Sequence, residues 1–105
     1  ELAIVAEIEE AGSRQLIGVG RLVAGADQRD AEYAVLIADA WQDQGLGSLL
    51  TDFCLEIAGK WGVDQVWAET TASNPRMLSI FENRGFKVGE TFGDEVLVNK
   101  TLKPT

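Results

Sequence analysis

The most informative stretch of this chain reads Gln-Asp-Gln-Gly-Leu-Gly-Ser and occupies residues 42–48. It follows a run of strand-forming residues at 32–38 and precedes apolar residues spaced i, i+3, i+4 and i+7, the pattern of a helix with one buried face. A glycine-rich loop between a strand and a helix leaves backbone N–H groups unpaired at the helix start. Together with the helix dipole, these groups form a site for an anion such as phosphate, which glycine allows to approach the backbone closely.

Two common phosphate-binding loops do not fit this stretch. A Walker loop requires a lysine after its last glycine, and this chain has Ser48 there. A Rossmann fingerprint requires a third glycine, and this chain has Leu50 at that position. The pattern that remains is Gln-x-x-Gly-x-Gly over residues 42–47. The alternative interpretation is an ordinary strand-to-helix turn whose glycines only permit tight packing.

The composition favours one domain with a hydrophobic core, because 46% of the 105 residues are hydrophobic. The absence of histidine and the single cysteine argue against a metal site and an internal disulfide. A net charge of −8 argues against non-specific nucleic-acid binding and is compatible with a basic partner, although acidity can also simply maintain solubility. No stretch predicts a membrane span. Because the chain enters a strand directly at Glu1, we expect an N-terminally truncated domain over residues 1–105.

The hydrophobic pattern predicts an α/β fold with a mixed sheet and the element order βββ-α-β-α-ββ. The first three strands are expected to form an antiparallel meander, with a turn at residues 11–14. One helix is predicted at 45–61, and a second opens at Asn74 and Pro75 and ends at Gly85. The predicted strands cover residues 2–10, 15–24, 31–38, 64–70, 86–90 and 95–102.

A second motif carries a family resemblance. Residues 74–86 read Asn-Pro-Arg-Met-Leu-Ser-Ile-Phe-Glu-Asn-Arg-Gly-Phe. An Asn that opens a helix ending in Gly-Phe, placed after the loop at 42–47 and one further strand, resembles the GNAT acetyltransferases, which bind acetyl-CoA. The resemblance covers residues 31–90 and implies a mixed, mostly antiparallel sheet with flanking helices. The N-terminal strand and two helices that usually begin this fold are missing here.

A narrower resemblance concerns one branch of that family. The segments Ala-Glu-Tyr-Ala-Val at 31–35, Trp-Gln at 41–42 and Gly-Leu-Gly at 45–47, with Asn74 and Met77, are similar to the GNAT domain of bacterial protein lysine acetyltransferases. In those enzymes the domain is often fused to an ADP-forming acyl-CoA synthetase-like region. This similarity implies a protein lysine as the acetyl acceptor.

The family resemblance also implies a set of residues that would bind acetyl-CoA. The loop would hold the pyrophosphate, the strand before it would hold the pantetheine arm, and Asn74 would contact that arm. The implied residues are Val35, Leu36, Ile37, Gln42, Asp43, Gln44, Gly45, Leu46, Gly47, Ser48, Asn74, Met77 and Phe81. Two positions depart from the family pattern. Gln44 replaces a residue that is often basic, and Phe81 replaces a tyrosine that protonates the CoA sulfur in many members.

Glu32 is the predicted general base, because it opens the strand that leads into the loop and the family resemblance implies a Glu near this position. A lysine has an ordinary pKa of about 10.4 and must lose a proton before it attacks, and a chain without histidine must use a carboxylate, a tyrosine, water or a lysine for proton transfer. The alternative for Glu32 is an exposed strand residue, and Glu69 is the reserve choice. Cys54 lies on the apolar helix face and is expected to pack in the core, which favours direct transfer over an acyl-enzyme.

The sequence thus predicts a cytoplasmic N-acetyltransferase domain that transfers the acetyl group of acetyl-CoA to an amine, taken to be a protein lysine. Neither a metal, a nucleic acid nor a membrane is an expected partner. Two alternatives stay open. One is a small-molecule amine acetyltransferase, and the other is a regulatory module that binds acyl-CoA without turnover.

Overall fold

The computed structural model describes residues 1–102, in which six strands form one mixed sheet and two helices pack on the same face of it. The strands are β1 (Leu2–Glu10), β2 (Ser13–Ala24), β3 (Asp30–Ile37), β4 (Gln65–Thr71), β5 (Lys87–Phe92) and β6 (Glu95–Thr101), and the helices are α1 (Leu46–Trp61) and α2 (Pro75–Asn83). The strand order is β1-β2-β3-β4-β6-β5. All neighbours are antiparallel except β3 and β4.

The predicted fold class and element order are confirmed, and the differences lie at element boundaries. The turn predicted at residues 11–14 is shorter, because Ala11 and Gly12 have φ of 51° and 82° and reverse the chain as a two-residue hairpin loop. Strand β2 therefore begins at Ser13. A 3-10 turn over Asp39–Trp41 was not predicted. The predicted closing strand at 95–102 ends at Thr101.

The helix α1 approaches the sheet closely because β2 carries glycines beneath it. A Cβ atom on Gly18 would lie 3.0 Å from Leu46 Cδ2, and one on Gly20 would lie 3.3 Å from Cys54 Sγ. Across the sheet the same face continues through buried residues of β3, β4 and β6. The small residues in β2 thus place α1 directly over β2 and β3.

The two helices are also tied to each other. Arg84, at the end of α2, donates from Nε and Nη2 to the carboxylate oxygens of Asp52 in α1, at 2.6 and 3.2 Å. This hydrogen-bonded contact holds the pKa of Asp52 below its ordinary value. Lys100 of β6 donates to the Arg84 carbonyl at 2.6 Å. Within residues 1–102, neither helix is long and apolar enough to cross a membrane.

The parallel pair β3 and β4 diverges part way along its length. Residues 30–33 pair with residues 65–68, and the pairing stops there, whereas β3 continues to Ile37 and β4 to Thr71. On its other side, β3 stays paired with β2 as far as Ile37. The carboxyl end of β3 is therefore free toward β4, and it borders an opening in the sheet.

Candidate active site

A cleft of about 430 Å³ lies at this opening, between the end of β3, the start of α1 and the first turns of α2. Backbone and side chains from all three elements form its walls. The lining residues are Val35, Leu36, Ile37, Trp41, Gln42, Asp43, Gly45, Gly47, Ser48, Asn74, Arg76, Met77, Ser79 and Ile80. The cleft thus joins the glycine loop to the part of β3 that has no strand partner on the β4 side.

The start of α1 supplies unpaired hydrogen-bond donors to this cleft. Gly45 is the N-cap residue, and in the described chain no side chain caps this helix. The first bond of the helix runs from the Leu49 N–H to the Gly45 carbonyl at 3.1 Å, so the N–H groups before it have no partner in the helix. The first turn of α1 contains no acidic residue. These features favour binding of an anion.

The two loop glycines are needed for different reasons. Gly45 has a φ of 82°, which L residues rarely adopt, while a Cβ atom there would meet nothing within 4 Å. Gly47 has an ordinary φ, but a Cβ atom there would lie 3.2 Å from Ile80 Cδ1 and 3.8 Å from Met77 Sδ. Gly45 therefore permits the turn, and Gly47 keeps space between α1 and α2.

A buried chain of hydrogen bonds anchors the loop to the sheet. The Thr51 hydroxyl donates to the Gly47 carbonyl at 2.7 Å, and the Tyr33 hydroxyl lies 3.0 Å from Thr51 Oγ1. Because the single hydroxyl hydrogen of Thr51 is used on Gly47, Tyr33 must be the donor to Thr51. Burial raises the pKa of Tyr33 above its ordinary value, so this hydroxyl keeps its proton. The first turn of α1 is thereby fixed to β3.

Most residues that the family resemblance implied for acetyl-CoA lie together in the cleft. These are Val35, Leu36, Ile37, Gln42, Asp43, Gly45, Gly47, Ser48, Asn74 and Met77. Asn74 is also the N-cap of α2, where its Oδ1 accepts from the Met77 N–H at 3.2 Å. A contact of Asn74 with a ligand would therefore use its amide N–H groups. These ten residues therefore lie together, as the family resemblance implies for residues that bind one acetyl-CoA molecule.

Three of the implied residues lie outside the cleft lining. Gln44 is exposed on the loop. Leu46 turns toward β2 and packs over Gly18. Phe81 is 1% exposed. The centroid of its ring lies 6.2 Å from that of Tyr33 in an edge-on contact and 4.8 Å from that of Phe86 in a tilted one. The spacing of apolar residues in α2 already placed Phe81 in the core, and the structure agrees with that interpretation.

The carboxylate predicted as general base also lies outside the cleft lining. Glu32 is exposed and stands opposite Val23 and Trp67 in the sheet, so it lies on the face away from the helices. Leu36 lines the cleft and shares this face of β3, and it lies four residues, or roughly 13 Å, farther along the strand than Glu32. Glu69 is two residues beyond Trp67 in β4, where the two strands have begun to separate. Along the strand direction, Glu69 is therefore roughly 7 Å closer than Glu32 to the opening.

The cleft also contains residues that the sequence did not assign to it. These residues are Trp41, Arg76, Ser79 and Ile80. Arg76 and Ile80 are four residues apart and share a face of α2, which is a spacing that could have identified them once Asn74 was placed at the helix start. Arg76 Nη2 lies 2.6 Å from Asp43 Oδ2, so an ion pair connects α2 to the loop.

Cys54 and metal ligation contribute nothing to this site. The Cys54 side chain is 1% exposed, and burial raises the pKa of its thiol, which keeps it protonated and unreactive. Among residues 1–102, no group of three or more histidine, cysteine, aspartate or glutamate side chains could hold a metal ion. Within residues 1–102, the polar groups of the cleft include the backbone N–H groups at the start of α1, the Asp43 carboxylate, the Arg76 guanidinium and the side chains of Gln42, Ser48, Asn74 and Ser79.

Comparison with known proteins gives a consistent family. The model of the acetyltransferase (GNAT) family matches residues 1–86. A curated acetyltransferase of Pseudomonas aeruginosa is 31% identical over 94 residues, which are 90% of this chain and 50% of that protein. This chain thus spans about half the length of that relative.

Solved structures show the same fold. The GNAT domain of a Streptomyces lividans protein called PAT matches with a TM-score of 0.74 at 24% identity, over 95% of this chain and 61% of that one. An acetyltransferase-like protein from Salmonella typhimurium, solved with acetyl-CoA, matches with a TM-score of 0.72 at 20% identity, over 86% of this chain and 60% of that one. At these identities the similarity concerns the fold alone.

Proposed function

This chain belongs to the acetyltransferase (GNAT) family, and from that premise we propose that it is an acetyl-CoA-dependent N-acetyltransferase domain. The observation that carries the proposal is the cleft itself. It connects the unpaired N–H groups at the start of α1 with the unpaired edge of β3. An acyl-CoA molecule has the matching chemistry, because it joins a pyrophosphate to a long pantetheine arm with two amide groups.

The donor would bind along the cleft in a single direction. The pyrophosphate would accept hydrogen bonds from the N–H groups around Gly45 and Gly47. The pantetheine arm would lie beside residues 35–37 and make backbone hydrogen bonds as an added strand does. Asn74, across the cleft, would contact the same arm. The thioester would then lie near the point where β3 and β4 diverge.

The transfer proceeds directly from donor to amine. The neutral amine attacks the thioester carbonyl, and a backbone N–H in residues 35–37 stabilises the oxyanion of the tetrahedral intermediate. The C–S bond then breaks and CoA leaves as a thiolate, for which the ordinary thiol pKa of about 8.5 is suitable. Glu32 takes the amine proton, either directly or through water, and Glu69 is a second carboxylate on the same sheet face. No acyl-cysteine is involved, because Cys54 is buried.

The acceptor is proposed to be the side chain of a protein lysine. The net charge of −8 supports a cationic acceptor, and the similarity of residues 31–35 to protein lysine acetyltransferases supports a protein. A small cationic amine would satisfy the same charge argument and is the second candidate. Since acetyl-CoA is an intracellular metabolite, we place this reaction in the cytoplasm.

A thiol-release assay on the intact gene product tests the proposal. The protein should release CoA from acetyl-CoA when a lysine-bearing protein or a simple amine is present, and calorimetry should show binding of acetyl-CoA. Turnover with small amines but not with a lysine-bearing protein would identify a small amine as the acceptor instead. Tight binding without thiol release would identify a regulatory module, and no binding would contradict the donor site.

A further inference from the structure

The cleft contains one charged pair, and its cation belongs to α2. Arg76 is the only lysine or arginine that lines the cleft within residues 1–102, and Asp43 is the only acidic residue there. Arg76 is the second residue of α2, and Asp43 lies in the loop that precedes Gly45. Their ion pair, at 2.6 Å between Nη2 and Oδ2, therefore connects the two walls of the cleft.

This cation is unusual for the chain in which it lies. The net charge is −8, and the loop position before Gly45 is occupied by the neutral Gln44. The loop itself thus provides backbone donors but no positive side chain. Arg76 supplies that charge from a helix that is distant in sequence and adjacent in the fold.

The ion pair between Arg76 and Asp43 can open so that Arg76 binds another anion. The side chains of Arg76 and Asp43 are 60% and 58% exposed, and ion pairs at such exposure contribute little to stability. A guanidinium group binds a phosphate with two parallel hydrogen bonds, as it does a carboxylate. Asp43 has a positive φ of 66°, a conformation that aspartate tolerates better than most residues.

We infer that Arg76 binds a phosphate group of the acyl-CoA donor, and that the Asp43 carboxylate occupies the guanidinium until that phosphate replaces it. The inference rests on the proposed function, because it assumes that acyl-CoA enters this cleft. It adds a residue outside the glycine loop to the donor site. It also explains how a loop without a basic side chain can hold a polyanionic ligand in an acidic protein.

The test measures dissociation constants of three donors with the full-length protein. The donors are acetyl-CoA, acetyl-dephospho-CoA, which lacks the 3′-phosphate, and S-acetylpantetheine, which has no phosphate. Arg76→Gln should weaken acetyl-CoA binding about tenfold and leave S-acetylpantetheine binding unchanged. If the loss persists with acetyl-dephospho-CoA, the contact is to the pyrophosphate; if it disappears, the contact is to the 3′-phosphate.

Two further variants serve as controls. Arg14→Gln removes the same charge from an exposed arginine that pairs with Glu7 and does not line the cleft, and it should bind acetyl-CoA normally. Asp43→Asn tolerates the positive φ and removes the competing carboxylate, so it should bind acetyl-CoA a few times more tightly. Thermal unfolding of each variant verifies that it is folded.

The outcomes separate this inference from the proposed function. If the unmodified protein binds no acetyl-CoA, the proposed function is wrong and the inference falls with it. If it binds acetyl-CoA and Arg76→Gln binds equally well, only the role of Arg76 is wrong. An equal loss of S-acetylpantetheine binding would make Arg76 a structural residue. Weaker binding by Asp43→Asn would contradict the exchange between carboxylate and phosphate.

Discussion

At the scale of single residues, the structure assigns different constraints to neighbouring positions of the loop. Gly45 is constrained by its backbone conformation, and Gly47 is constrained by the proximity of Ile80. A sequence pattern cannot make this distinction, because it records two glycines without their φ angles or neighbours. The distinction matters for mutagenesis, because a side chain at position 45 would strain the backbone, whereas a side chain at position 47 would contact Ile80.

Gly47→Val should weaken acetyl-CoA binding at least tenfold, about 1.4 kcal/mol. The added side chain would meet Ile80 and occupy space between α1 and α2 where the donor is proposed to bind. Calorimetric titration measures the affinity, and thermal unfolding verifies the fold. Gly59→Val in α1 is the matched control, because a Cβ atom there meets nothing within 4 Å and Gly59 does not line the cleft. A folded Gly47→Val variant with normal affinity would contradict the donor site.

The two carboxylates on the outer sheet face give a second prediction at this scale. Glu32→Gln keeps the size of the side chain and removes the proton acceptor, so kcat of the full-length protein should fall about 10²–10⁴-fold. Affinity for acetyl-CoA should hardly change. Raising the pH should partly restore kcat, because a larger fraction of the amine is then already neutral.

Glu69→Gln is the matched variant for this experiment. Glu69 is exposed on the same face and lies closer to the diverging ends of β3 and β4. If Glu69→Gln loses kcat while Glu32→Gln stays near normal, the base is Glu69. If neither variant loses kcat, water takes the proton without a carboxylate. Equal loss of acetyl-CoA binding by Glu32→Gln would indicate a structural role.

At the scale of elements, the position of α1 decides whether its first turn can bind an anion. Three contacts hold this helix: it packs over Gly18 and Gly20, its Thr51 bonds to Tyr33, and its Asp52 bonds to Arg84 of α2. All three lie within about two turns of the loop. The donors at the start of α1 are therefore held in place before any ligand binds.

The hydrogen bonds from Tyr33 to Thr51 and from Thr51 to the Gly47 carbonyl form a relay between β3 and the loop. Thr51→Val removes both bonds of this relay at nearly constant volume. The variant should lose about 1–3 kcal/mol of stability, because the buried Tyr33 hydroxyl is left without its acceptor. It should also bind acetyl-CoA more weakly, since the Gly47 carbonyl loses its bond from the Thr51 hydroxyl. Thr51→Ser keeps the hydroxyl and should retain the affinity. Val98→Ala, in the core away from the loop, is the stability control.

The comparison of affinity with stability is decisive for the relay. If Thr51→Val and Val98→Ala lose similar stability but only the first loses affinity, the relay positions the loop. If both keep normal affinity, the relay contributes to stability alone.

At the scale of the whole molecule, buried hydroxyl and thiol groups determine how stability responds to alkaline pH. Burial raises the pKa of both Tyr33 and Cys54 in the folded state. In the unfolded chain, these groups lose their protons near pH 10 and pH 8.5. Above those values the unfolded state binds fewer protons than the folded state, so stability is complete below them and falls as the pH rises.

The unfolding free energy should therefore decrease above about pH 9, with a contribution of up to about 1.4 kcal/mol per pH unit from each group. Tyr33→Phe should reduce this slope above pH 10. It should also cost about 1 kcal/mol at neutral pH, because the bond to Thr51 is lost. Denaturant unfolding at pH 7, 9 and 10.5 measures both effects. Identical slopes for the two proteins would show that Tyr33 does not titrate on unfolding.

The sequence by itself determined the order of the six strands and two helices and the place of the glycine-rich loop between β3 and α1. Local signals were sufficient for this: the helical spacing after Gly45, the alternation in the strands, and the capping Asn74 followed by Pro75. Such signals depend on residues a few positions apart, whose relation the backbone geometry prescribes. The second motif and its resemblance then indicated the family.

The tertiary structure alone decided the contacts between distant segments. It brings Arg76 to Asp43 and Tyr33 to Thr51, it places Glu32 on the sheet face away from the helices, and it ends the pairing of β3 with β4 after Tyr33. Each of these depends on strand register and on how closely α1 and α2 approach the sheet. Register and approach result from packing over the whole core, so no local stretch of sequence contains them.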